Sequence, residues 1–214
     1  MDIVINLNSV IEKLKTFAKH EVTIIAVSKT FSLNVIRPLL NAGQVHFGEN
    51  RINEALEKWT NELLHNPKIQ LHLIGRLQSN KVKDALKIFS YIHSLDSQKL
   101  AYKLSDEQEK AQKKLKYFIQ VNFDNEIQKG GILENEIQDF LSFCKVEKKL
   151  NVIGLMCIPP VEKSSEIYFK RLQSLAKDND LSELSMGMSS DYLKAVEFGT
   201  SFVRIGSLIF GERK

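Results

Sequence analysis

Lys29 closes the apolar run Val22-Thr23-Ile24-Ile25-Ala26-Val27-Ser28, and a helix-like segment follows it. That order delivers its ammonium to the C-terminal end of a parallel strand, where barrel enzymes keep their chemistry. A lysine there sheds water, which favours the neutral amine, and a neutral amine attacks an aldehyde to give a Schiff base. A solvated surface lysine would look the same locally, so distant features must decide. The first is Leu184-Ser185-Met186-Gly187-Met188-Ser189-Ser190-Asp191, a strand end, a flexible turn and hydroxyls opening a helix. Free N–H groups of a first helical turn, the positive end of the dipole and the Ser189 and Ser190 hydroxyls suit a phosphate. A plain serine cap is the competing explanation. The second is Val203-Arg204-Ile205-Gly206-Ser207. An arginine inside an apolar strand needs hydrogen-bonding partners, and Gly206 lets backbone amides approach a ligand ahead of a final turn at Leu208–Phe210. A structural salt bridge would also explain Arg204.

Two further polar clusters fall at strand ends: Phe47-Gly48-Glu49-Asn50-Arg51, and His72 through Lys81. They should rim the same mouth. Gly75 to Lys81 does not meet the G-x-x-x-x-G-K-[ST] pattern, which excludes a nucleotide-hydrolysing loop of that type. His20, His46, His65, His72 and His93 show neither i,i+4 pairing nor an HExxH pattern, so no metal site is expected. His72 alternates with Leu71 and Leu73 and is read as structural or as a cofactor neighbour.

The elements that must position these residues are legible as short apolar runs alternating with longer amphipathic segments, the habit of parallel βα units. Strands are predicted at residues 22–28, 44–47, 69–75, 90–95, 116–122, 150–157, 182–187 and 201–206. Eight such runs predict an α/β fold, a (β/α)8 TIM-type barrel forming a single domain over 1–214. Ile132, Leu133, Ile137, Phe140 and Leu141 recur at helical spacing, as do Leu7, Val10, Ile11, Leu14 and Phe17 in an extra N-terminal helix. Asp96-Ser97 should cap the helical segment Gln98–Lys114, and Asn41-Ala42-Gly43 should end an earlier helix with glycine in the left-handed conformation. Pro38 should kink its helix or delay its start. Residues 207–214 leave little room for a final helix, so the N-terminal helix is expected to close the ring.

Composition narrows the classes. Apolar residues make up 43% and charged residues 26%, as in an ordinary globular α/β protein. The net charge of +4 arises from 30 basic and 26 acidic residues spread along the chain, so no nucleic-acid partner is expected. Cys144 and Cys157 lack CxxC spacing and sit among apolar residues, as buried reduced thiols do. No secretory pattern opens the sequence and no segment has about eighteen uninterrupted apolar residues, so a cytoplasmic location and no membrane partner are expected.

Ala-Val-Ser-Lys-Thr around Lys29, Phe-Gly-Glu-Asn-Arg, Ile-Gly-Arg-Leu-Gln-Ser-Asn-Lys, Gly154-Leu155-Met156, Ser-Met-Gly-Met-Ser and Val-Arg-Ile-Gly occur in an order that closely resembles the YggS/PROSC family of pyridoxal 5'-phosphate homeostasis proteins. The resemblance runs from about residue 20 to Arg213, and it implies a fold similar to the N-terminal domain of alanine racemase. It implies pyridoxal 5'-phosphate as cofactor, with Lys29 its Schiff-base partner, Ser189 a phosphate ligand, Gly206 and Ser207 backbone phosphate donors and Arg204 facing the pyridine nitrogen. Asn50 and His72 complete the expected cofactor-binding set. The family pattern Asn122, Glu126, Lys129, Gly131 is also present and is expected to shape the mouth. Phe31-Ser32 replaces a frequent Lys-Pro pair, at positions that do not belong to the expected set.

An arginine at the ring nitrogen keeps that nitrogen unprotonated and weakens the ring as an electron sink. Alanine racemases work with this arrangement by using a lysine and a tyrosine as two bases, the tyrosine coming from a second, β-rich domain. Only ten residues follow Arg204 here, and no second base is identifiable. The resemblance therefore implies a monomeric holder of the cofactor serving pyridoxal 5'-phosphate homeostasis, with pyridoxal-phosphate-dependent apoenzymes as possible recipients. The alternative is a racemase or another enzyme acting at an amino-acid α-carbon.

Overall fold

Each of the eight apolar runs forms a strand, because short stretches of β-branched and aromatic residues bounded by polar turns suit a sheet covered on both faces. The computed structural model describes residues 2–126 and 130–212 of the chain; Lys129 and Arg213, both named above, lie outside them. The strands are β1 (Thr23–Val27), β2 (His46–Glu49), β3 (Gln70–Leu73), β4 (Tyr91–Leu95), β5 (Lys116–Gln120), β6 (Val152–Met156), β7 (Glu183–Met188) and β8 (Phe202–Ile205). All pair in parallel with their sequence neighbours, and β8 pairs with β1, Ile25 opposite Arg204, to close the barrel.

The helices outside it are α1 (Ile3–Phe17), α2 (Leu33–Asn41), α3 (Ile52–His65), α4 (Val82–Ile88), α5 (Gln98–Ala111), α6 (Ile137–Ser142), α7 (Ser165–Asp178), α8 (Tyr192–Glu197) and α9 (Ser207–Phe210). α1 buries Leu7, Val10 and Leu14 and packs against α2, α8 and α9, while Asn6 Nδ2 donates to the Ile209 carbonyl at 2.9 Å. It thus fills the place in the outer layer that the four-residue α9 is too short to cover. Ser97 caps α5 by accepting from the Leu100 N–H, and Gly43 has φ +89° beyond α2, as expected.

Two local expectations need correction. Pro38 does not delay α2, which begins at Leu33. Pro38 and Asn34 are both exposed, so the missing hydrogen bond falls on the solvent side of the helix. Ile132 and Leu133 precede α6 rather than opening it, and Ile132 bridges Val121 in parallel. Gly130 and Gly131, at φ +64° and +110°, turn the chain so that Ile132 runs along the end of β5, beyond the reach of helical periodicity.

Most of the core lies between the strands and the helices, around Phe47, Trp59, Leu71, Ile92, Leu104, Tyr117 and Phe169. Inside the barrel, Ile25, Tyr91, Phe118, Met156 and Phe202 cluster with the buried polar side chains of His72, His93 and Ser185. Barrel interiors are ordinarily filled by layers of branched aliphatic residues, so rings and hydroxyls here mark a departure with a local cause.

Candidate functional site

At the C-terminal mouth of the barrel lies a cavity of about 680 Å³, lined by residues that include Lys29, Asn50, Ser189, Arg204, Gly206 and Ser207. They arrive from the ends of β1, β2, β7 and β8. The volume suits a small organic ligand.

Lys29 is half-buried and stands on a braced bend. Thr30 behind it has φ +71°, a left-handed conformation that a β-branched residue adopts only when its surroundings impose it. The constraint comes from α3: the Thr30 N–H donates to Glu54 Oε1 at 2.5 Å, and Lys58 Nζ donates to Glu54 at 3.1 Å. Burial pushes the Glu54 carboxyl up, but the Thr30 N–H and Lys58 outweigh it and hold the group below its ordinary value. Lys58 also donates to the Ser28 carbonyl at 3.0 Å and to Glu49 Oε1 at 2.9 Å. That same oxygen accepts from Ser28 Oγ at 2.7 Å and Trp59 Nε1 at 3.0 Å. Sequence reasoning placed Glu49 in a polar cluster and missed Lys58 and Trp59 altogether. The available signal was a carboxylate ending an apolar strand, which needs donors from the helix that follows.

On the opposite wall, Ser189 Oγ accepts from the backbone N–H groups of Gly206 at 3.2 Å and Leu208 at 3.3 Å. The converging amides come from the β8–α9 junction rather than from α8, whose start is occupied by Asp191 accepting from the Met188 N–H. A Cβ on Gly206 would make only ordinary contacts, the nearest 3.6 Å from Val27 Cβ beyond its chain neighbours, so the protein does not crowd this side of the junction. Gly75 is different: a Cβ there would lie 2.3 Å from the Asn50 carbonyl oxygen, so the chain leaving β3 can pass Asn50 only as glycine. Asn50 Oδ1 is buried and has no hydrogen-bond partner.

Arg204 is 4% exposed and donates to Ser185 Oγ at 2.7 Å and to the Cys157 carbonyl at 2.9 Å. Among the described residues no carboxylate lies within ion-pair distance of it, which removes the salt-bridge explanation. Burial pulls its pKa below the ordinary guanidinium value, with Cys157 and Asp191 opposing.

His72, expected beside the cofactor, does not line the cavity. It points into the barrel below the mouth, fully buried, with Tyr91 stacked on it at 4.2 Å and its ring nitrogens bonded to His46 and His93. Alternation along β3 showed correctly that it faces inward, but not at what depth. Asn122 and Glu126 close their own loop by two 3.0 Å hydrogen bonds and line a neighbouring cleft with Tyr168.

The family model for the alanine racemase N-terminal domain matches residues 5–214. A pyridoxal phosphate homeostasis protein of Aquifex aeolicus is 38% identical over 200 residues, covering 89% of this chain and 87% of the relative. The chain belongs to the pyridoxal phosphate homeostasis protein family. PipY of Synechococcus elongatus, solved with pyridoxal phosphate bound, superposes with a TM-score of 0.89 at 34% identity, covering 98% of this chain and all of PipY. Alanine racemase of Clostridium difficile 630 shares the barrel at a TM-score of 0.73 and 15% identity, over 99% of this chain and 60% of the racemase, a likeness of fold alone. Among the described residues of this family member, no three metal-ligating side chains converge, and no helix is long and apolar enough to cross a membrane.

Proposed function

We propose that the chain binds pyridoxal 5'-phosphate in the mouth cavity, holds it on Lys29 and releases it to apoenzymes, acting as a cytoplasmic monomer in cofactor homeostasis. The observation that carries this is the convergence on one cavity of an amine, a guanidinium and a hydroxyl braced by two backbone amides. When bound, pyridoxal phosphate supplies an aldehyde that condenses reversibly with an amine, with loss of water.

Each chemical feature of that ligand has a counterpart among the residues. Lys29 is the only amine among the described lining residues, and it supplies the nitrogen. The Ser189 hydroxyl, whose oxygen accepts from the Gly206 and Leu208 amides and whose hydrogen is left to give, takes the phosphate together with Ser207, at the uncrowded turn that Gly206 makes. Arg204, donor-only and permanently charged, addresses the ring nitrogen. Asn50 Oδ1, buried without a partner, has a lone pair to offer a donor on the ligand. Arg204 also favours holding over turnover, because a ring nitrogen facing a fixed cation stays unprotonated and draws electrons less strongly from a substrate carbon.

The test is a spectrophotometric titration with pyridoxal phosphate, then borohydride reduction and peptide mapping. The reduced adduct is expected on Lys29 and should disappear in Lys29→Ala. An adduct of equal yield on another lysine of that variant would overturn the assignment.

A further inference from the structure

The hydrogen bonds of Arg204 do not end at Ser185. His93 Nδ1 lies 2.8 Å from Ser185 Oγ, His93 Nε2 lies 2.9 Å from His72 Nδ1, and His72 Nε2 lies 2.9 Å from His46 Nδ1. The column runs through the barrel interior from the mouth to the half-buried His46 at the start of β2. Its rings are fixed by stacking: Phe118 on His93 at 4.4 Å and Tyr91 on His72 at 4.2 Å, with Phe202 packed against both.

The direction of every bond in the column follows from its upper end. A guanidinium has no lone pair to offer, so Ser185 Oγ accepts from Arg204; among the described residues its own hydrogen has no hydrogen-bond acceptor other than His93 Nδ1, to which it donates. His93 then carries its hydrogen on Nε2 and donates to His72 Nδ1. His72, by the same step, donates from Nε2 to His46 Nδ1. Each imidazole is thereby assigned the Nε2–H tautomer, with its lone pair turned toward Arg204 and its hydrogen turned toward the bottom of the barrel.

We propose that His93 and His72 are positioning residues that, with Ser185, form a one-way hydrogen-bonded column giving the buried Arg204 an uncharged, dipolar counterpart in place of a carboxylate. A chain of aligned donors polarises cooperatively, so its acceptor end is a better partner for a cation than a lone hydroxyl. A carboxylate would neutralise the guanidinium, whereas the column holds it and leaves its charge facing the cavity. The surroundings keep the rings neutral. Burial lowers the pKa of all three; Arg204 adds to this at His93, the neighbouring histidines and Lys116 at His72, and Lys116 at His46. The remaining titratable groups against the column are Tyr91, beside all three rings, and Cys157 and Asp191 near Arg204.

The effect on the cofactor rests on the proposed function above, and the column itself does not. In the cofactor-free protein labelled with ¹⁵N at the imidazoles, His72 and His93 should show the Nε2–H tautomer without titrating across about pH 6 to 8, the range in which a free imidazole changes charge. An Nδ1–H tautomer or an imidazolium at His93 would overturn the column. In the pyridoxal phosphate titration, His93→Leu should weaken binding by about two- to tenfold and move the absorbance band, since it takes from the Ser185 hydroxyl that holds Arg204 the hydrogen bond behind it, and a neutral hydrogen bond has about that effect. His93→Gln, able to accept from Ser185 and donate to His72, should restore both. If the two variants behave alike, or both match wild type, His93 is only core packing and the proposal fails. If wild type takes up no pyridoxal phosphate, the proposed function fails, and the tautomer measurement still decides the column.

Discussion

Lys58 Nζ lies 2.9 Å from Glu49 Oε1, and both side chains are almost wholly buried. Through the Ser28 carbonyl and hydroxyl, the pair ties the end of β1, where Lys29 leaves the barrel, to the end of β2, where Asn50 enters the cavity wall. Removing one partner strands a buried charge, so Lys58→Met should cost about 3–5 kcal/mol of stability. Urea unfolding measures this directly, and a loss under about 1 kcal/mol, the value of a surface pair, would contradict it.

The converging amides at Ser189 predict a loss confined to one end of the ligand. Ser189→Ala should weaken pyridoxal phosphate binding by about 1.5–3 kcal/mol, the worth of a hydrogen bond to a charged group. Binding of pyridoxal, which lacks the phosphate, should be nearly unchanged. Equal losses for both ligands would place the phosphate elsewhere.

Gly75 supports the same wall from behind. Gly75→Ala sets a Cβ 2.3 Å from the Asn50 carbonyl oxygen, a backbone atom that can yield only by moving the loop. A loss of about 1–3 kcal/mol is expected from overpacking of this kind, with weaker cofactor binding. Thermal unfolding of the cofactor-free protein separates the two effects.

The buried histidines make stability depend on pH with a definite sign. Burial, reinforced by neighbouring imidazoles at His72 and by Arg204 at His93, holds both well below the usual 6.5. Below that value the unfolded chain takes up protons that the folded chain refuses, so stability is full above pH 6.5 and falls as the solution is acidified. Two such groups give a slope of about 2.7 kcal/mol per pH unit until the folded pKa values are reached. Urea midpoints at about pH 7.5, 6.5 and 5.5 should be level across the first interval and drop across the second. A flat profile would show that both rings take up protons in the fold as readily as in the unfolded chain, and a slope of about half that size that one of them does.

Arg204 predicts slow chemistry at substrate carbons. With L-alanine or L-serine in deuterated water, the loaded protein should exchange α-protons no faster than free pyridoxal phosphate. Exchange well above that rate, retained in Lys29→Ala, would reveal a base elsewhere in the cavity.

What the sequence made legible follows from the range of the forces involved. Strands and helices are encoded by apolar periods within a dozen residues, and all eight strands fall within a few residues of their expected positions. Lys29, Ser189, Arg204 and Gly206 stood out because each breaks a local rule, a polar or flexible residue at the edge of an apolar run. Lys58, Trp59 and the histidine column did not stand out, because their partners lie on other elements. His46, His72 and His93 occupy three consecutive strands, and only the register that sets Gly48 opposite His72 and His72 opposite Tyr91 brings the rings into line. Histidines at inward positions of three successive apolar strands were the one available hint.

Cys144 and Cys157 are the chain's only cysteines, and burial pushes both thiols up to about 12. Neither presents a thiolate to solvent at neutral pH, so an alkylating reagent has no native target that competes with an introduced one. Lys29→Cys would put a lone reactive sulfur on the bend that α3 braces, and aminoethylation of that sulfur rebuilds a lysine-like arm from the outside. The inert thiols thus leave the mouth of the barrel open to single-site chemical rescue, in which the amine can be lengthened or shortened one atom at a time.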